Sequence, residues 1–218
     1  MKRILFLFSL ILIISFSETT DPSKILIIYF SKTGNTEKFA NYITEISNEI
    51  SAFKIEPATS YPEDYNTMLT IAREEQSSNA RPEIKNALNN VNDYEIILLG
   101  YPIWYSHLPN IVINQLEKLD LNGKTIYPFN THGSSGTGSS INDIKNYANK
   151  AIVKDGFPIS SNEINNKNSS INKIKNWIDK IIAGDSINEE DSENENPDNS
   201  IFIKINLYLF YFISILLL

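Results

Sequence analysis

The chain has 218 residues, of which 42% are hydrophobic and 21% charged, a balance that suits one globular domain with a sizeable core. Cysteine is absent, which excludes disulfides, thiolate chemistry and cysteine-ligated iron or zinc. The net charge of -7 is carried by a single run of seven acids (Asp185, Glu189, Glu190, Asp191, Glu193, Glu195, Asp198), so the rest is near neutral, with no basic stripe for nucleic acid and no marked acidity to steer a basic partner.

In chain order, residues 1–17 read as a signal peptide. Met1, Lys2 and Arg3 give a basic start, and 4–16 is an apolar run too short to span a membrane comfortably. Ser15 and Ser17 suit cleavage before Glu18. An uncleaved anchor is the alternative.

Residues 25–30 (ILIIYF) are an unbroken apolar run, the pattern of a parallel strand buried on both faces. The chain then turns through Ser31, Lys32, Thr33, Gly34, Asn35 and Thr36 into an amphipathic helix predicted over 37–50. Such a turn is an anion site, because the first helical amides are unpaired and the dipole is positive there. Ser31, Thr33 and Thr36 add hydroxyls, Asn35 an amide, and Gly34 lets the backbone wrap closely, so the natural ligand is a phosphate. Neither a Walker loop nor a dinucleotide fingerprint fits the turn. A simple N-capped strand–helix turn is the plain alternative.

Further strands are predicted over 52–56, 94–100, 125–129 and, more weakly, 151–154. Helices are predicted from the 61–65 turn toward Glu75, then over 82–89, 108–119, 141–149 and 171–182. This alternation predicts an α/β, doubly wound three-layer sandwich around a five-stranded parallel sheet of order 2-1-3-4-5. A ligand then sits at the carboxyl ends of strands 1 and 3. The folded body covers 18–184, followed by an acidic disordered spacer at 185–200 and a hydrophobic tail at 201–218. That tail reads as either a GPI signal or a transmembrane helix, which places the protein in the secretory pathway, at the cell surface or anchored to a membrane. Asn168-Ser169-Ser170 is a glycosylation sequon.

Two more loops fall where the topology requires a ligand. After the strand ending at Gly100, Pro102, Ile103, Trp104 and Tyr105 form a proline-stiffened turn that suits a wall for a flat conjugated ring, or else a core plug. After the 125–129 strand, Thr131, His132, Gly133, Ser134 and Gly136 belong to a glycine- and hydroxyl-rich loop able to offer many amides, or else a flexible surface loop. No metal site is expected.

SKTGNT after the first strand, then GYPIW and PFNTHGSSG, together resemble the flavodoxin-like family, and the similarity runs from about Lys24 to Ile182. The resemblance implies FMN as cofactor. Ser31, Lys32, Thr33, Gly34, Asn35 and Thr36 would hold its phosphate. Pro102, Ile103, Trp104 and Tyr105 would flank the isoalloxazine, and Thr131, His132, Gly133, Ser134 and Gly136 would line its other edge. Tyr105 stands where the GYPIWW-type subfamily has a second Trp, and Ser134 where it has Gly, a costly exchange if positive φ is needed there. Arg81-Pro82 and the 61–65 turn also recur in such relatives, to cap the site or bind a second substrate.

Three functions are compatible with this pattern. One is an FMN-dependent oxidoreductase passing electrons from a reduced donor to a small quinone-like or pigment acceptor, with His132 and Tyr105 as candidate catalytic groups. The second is a one-electron carrier serving a redox partner protein. The third is a non-catalytic surface protein on a flavodoxin scaffold.

Overall fold

β1 (Ile25–Tyr29) has no polar position because both of its faces are covered, and every residue in it is buried. The computed structural model describes residues 19–148 and 150–184; the predicted leader, acidic spacer and hydrophobic tail lie outside the described residues. The chain continues through α1 (Asn35–Ile46), β2 (Ser51–Lys54), α2 (Tyr65–Ser77), β3 (Ile96–Pro102), α3 (Asn110–Glu117) and β4 (Thr125–His132). α4 (Ser140–Tyr147), β5 (Ile152–Val153), β6 (Phe157–Ser160), α5 (Ser161–Ile164) and α6 (Lys167–Ile182) complete it. The sheet is parallel with order β2-β1-β3-β4-β5, and β6 also pairs with β4.

Alternation along β1 divides the core into two layers. Leu26 and Ile28 face Met68 and Ala72 of α2, Ile111, Val112 and Leu116 of α3, and Ile144 of α4. On the opposite face Phe39 of α1, Phe129 of β4, Phe157 of β6 and Trp177 of α6 form an aromatic cluster, with centroids 4.4 Å apart for Phe39–Phe129 and 5.4 Å for Phe157–Trp177. Helices on both faces leave the carboxyl ends of β1, β3 and β4 as the open edge of the sandwich.

The fifth sheet position is divided between two short strands, where the sequence pattern predicted one. β5 pairs with Thr125 and Ile126, and β6 pairs with residues 129–132 of β4. Lys154 N–H donates to the Ile126 carbonyl at 2.9 Å, so even-numbered β4 residues present their backbone groups to this edge. Pro128 is the next such residue and has no N–H, and the ladder breaks there. Segment 82–89 corrects a second expectation, being irregular, with one isolated bridge from Ile84 to Pro57, rather than helical. Ala58 N–H donates to Glu83 C=O and Lys85 N–H to Glu56 C=O, both at 2.8 Å, tying it to the chain after β2. No helix among the described residues is long and apolar enough to cross a membrane.

Candidate functional site

The loop after β1 leaves the start of α1 without a side-chain cap. Gly34 is the N-cap of α1 with φ +85°. The first helical bond runs from Lys38 N–H to Gly34 C=O, so the amides of the first turn precede the intrahelical ladder. A Cβ on Gly34 would meet nothing within 4 Å, so a ligand can approach this backbone. Ser31 Oγ is buried with no hydrogen-bond partner among the described residues. Thr33 is exposed, Asn35 is half-buried, and Thr36 is buried with its hydroxyl committed to Thr131. The Lys32 side chain is only 13% exposed and reaches Glu63 at 2.7 Å, so its charge lies under the loop that follows β2.

The ends of β1, β3 and β4 are locked together. Phe30 N–H donates to Gly100 C=O and Ile103 N–H to Thr131 C=O, each at 2.9 Å. Asn130 is wholly buried; its amide donates to Gly136 C=O at 3.1 Å while its Oδ1 finds no partner among the described residues. His132 Nδ1 is likewise buried and unpartnered. Burial pushes the His132 pKa down, against a smaller upward pull from Glu163, so the ring is neutral near pH 7. Gly133 and Gly136 border open space where side chains would intrude, and Gly136 has φ +61°. Thus the ends of β1 and β4 carry three buried polar atoms without partners among the described residues, on Ser31, Asn130 and His132, the last two next to the glycine-rich loop. A ligand with both acceptors and donors suits them.

The loop after β3 is a tight turn. Trp104 N–H donates to His107 C=O at 3.2 Å and His107 N–H back to Trp104 C=O at 2.9 Å. The two residues between them, Tyr105 and Ser106, both take left-handed backbone, with φ 48° and 67°. Strain is therefore stored at the Tyr105 position, whereas Ser134 does not take a positive φ. Trp104 is brought into the core, 7% exposed and edge-on to Phe30 at 5.5 Å and Tyr61 at 5.1 Å. Tyr105 is the ring left at the surface. Its hydroxyl donates to Leu69 C=O at 3.1 Å, and Arg73 of α2 lies 4.9 Å over its face.

The 61–65 turn contributes Tyr61, whose hydroxyl donates to Glu75 at 3.1 Å beneath Trp104; burial raises the pKa of both groups. Arg81 forks onto Glu117 at 2.6 and 2.8 Å and sits over Tyr147, so its charge serves α3 packing. Asn130, Leu69 and Arg73 were not singled out in the sequence. Asn130 abuts the THG motif and could have been flagged as a polar residue in an apolar strand, but the contacts of Leu69 and Arg73 are tertiary and leave no local signal.

The family model described as flavodoxin matches residues 24–181. The chain belongs to the flavodoxin family. Among solved structures, this flavodoxin is 30% identical to a Bacteroides eggerthii protein described as a flavoprotein, covering 73% of this chain and 98% of that one at a TM-score of 0.62. A protein of Bacteroides uniformis with the same description is 28% identical, with coverage of 72% and 98% and a TM-score of 0.63. A Lactobacillus acidophilus flavoprotein solved in complex with FMN is 21% identical and shares the fold at a TM-score of 0.54, covering 66% of this chain and 97% of that one. The chain has no match among curated proteins.

Proposed function

We propose that this flavodoxin binds FMN and acts as an oxidoreductase, passing electrons from a reduced donor to a small acceptor. The observation that carries the reading is the cradle at residues 31–36, where one six-residue loop holds an uncapped helix start and the orphaned Ser31 hydroxyl. FMN fits the residues present. Thr33, Gly34, Asn35 and Ser31 would hold its phosphate, while Asn130, His132 and the Gly133–Gly136 backbone would meet the polar edge of the ring system. When bound, FMN supplies reversible electron acceptance, and the protein's task is to bind, orient and shield it. Neutral His132 would keep a hydrogen-bonding nitrogen at that edge, and Tyr105 is the exposed ring of the loop after β3, open to an acceptor.

The three-loop combination supports membership of the GYPIWW-type group. Function on the secretory side of a membrane, tethered by the tail, belongs to the same proposal and rests on the terminal sequences. The test is a reductive titration of FMN-loaded protein followed by its visible spectrum. Complete bleaching in one two-electron step, followed by reoxidation with a small quinone, supports the oxidoreductase. Bleaching in two separate one-electron steps, with no quinone-driven reoxidation, replaces it with a carrier serving a protein partner.

A further inference from the structure

Beside the Trp104–His107 turn, α2, the start of α3 and α4 border an open cleft of about 440 Å³. That is the size of a small-molecule site, roughly 300–1,000 Å³. It contains none of the residues of the 31–36 cradle. Its floor is apolar, from Leu108 and Ile113, and Tyr147 gives it an aromatic wall. Two groups supply its chemistry. The Arg73 guanidinium brings a positive charge. His107 Nδ1 lies 3.0 Å from Asp143 Oδ2, and the same carboxylate oxygen accepts the Leu108 N–H at 3.0 Å.

A carboxylate only accepts, so Nδ1 carries the proton toward Asp143 and fixes the tautomer. Nε2 is the ring nitrogen left for a ligand, on a side chain 48% exposed. The Asp143 charge is engaged by His107 and Leu108 and is 17% exposed, so Arg73 sets the sign that a ligand meets. A cation, an imidazole nitrogen and an apolar floor in one cleft select a molecule with an anionic end, a hydroxyl and a flat apolar body.

The geometry points to a second ligand site, for a small hydroxylated aromatic carboxylate, with Arg73 taking the carboxylate and His107 Nε2 hydrogen-bonding the hydroxyl. The site does not rest on the flavin reading. It is mechanically joined to the neighbouring loop, however, because Gln76 in its wall donates to Trp104 C=O at 2.8 Å and Arg73 also covers Tyr105.

The test is an NMR titration of the full, isotope-labelled chain with 4-hydroxybenzoate, reading the imidazole signals of its two histidines, His107 and His132, assigned with His107→Asn. The expected result is a saturable shift at His107 with His132 unmoved. Arg73→Ala is expected to weaken binding by about tenfold or more, Arg73→Lys by less, and benzoate to bind more weakly than 4-hydroxybenzoate. A folded chain whose His107 signals stay fixed up to roughly 10 mM probe overturns the site. Undiminished affinity in Arg73→Ala overturns the role of the guanidinium, and equal affinity for benzoate overturns that of His107.

Discussion

The hydroxyls of Thr36 and Thr131 lie 2.9 Å apart, both buried, and this one bond fastens the first turn of α1 to the end of β4. It joins the 31–36 loop to the glycine-rich loop across 95 residues of sequence. Thr36→Val leaves the Thr131 hydroxyl buried without its partner and is expected to cost about 1–3 kcal/mol in chemical denaturation. Replacing both threonines by valine removes both ends of the bond, so the double variant is expected to recover part of that loss. An equal or greater loss in the double variant would mean that the pair contributes through packing alone.

Gly100 is fixed by the ring opposite it. A Cβ there would lie 2.2 Å from Phe129, its register partner across β3 and β4. Gly100→Ala is therefore expected to destabilise by about 1–3 kcal/mol through overpacking. Gly100→Ala combined with Phe129→Leu is expected to lose less than the two single changes added together. Strict additivity would show that the clash is not the cause.

Where local pattern and long-range contact agreed, the sequence was readable. The apolar run at 25–30, the loop at 31–36 and the alternation of elements place the cradle at the carboxyl edge of the sheet. Segment 82–89 misled because Pro82 opens it like a helix N-terminus, while its pairing partners Glu56 and Ala58 lie far back in the chain. β6 went unseen because it is short, contains Pro158, and exists only as the resumption of an edge interrupted at Pro128. Trp104 could be read as a wall or as a plug. Its burial depends on Tyr61, which the β2–α2 connection delivers from elsewhere. Ser134 carries no positive φ, a backbone detail outside the reach of residue type.

His132 makes stability depend on pH. Burial lowers its folded pKa below the ordinary value of 6.5, so below that value the unfolded chain binds the proton more readily. The stability is complete above the unfolded pKa near 6.5 and is lost as the pH falls from there through the lower folded pKa. Denaturation midpoints are expected to fall over that window, with His132→Gln flattening the profile there. An unchanged profile in the variant would assign the acid sensitivity to other groups.

Gly34 carries its φ of +85° with no neighbour against the missing Cβ, so the penalty of a side chain is one of backbone alone. Gly34→Ala is expected to lose about 1–2 kcal/mol, and Gly34→Asn less, because Asn tolerates the left-handed region. Both follow from urea midpoints. Equal losses in the two variants would place the cost in the side chain's surroundings.

In the proposed reading, residues 31–36 grip a phosphate. The direct measurement is flavin fluorescence quenching on titration of the full chain into FMN and, separately, into riboflavin, which lacks the phosphate. FMN is expected to bind at least about a hundredfold more tightly. Equal affinity for the two flavins, or a folded chain that binds neither, would contradict the claim.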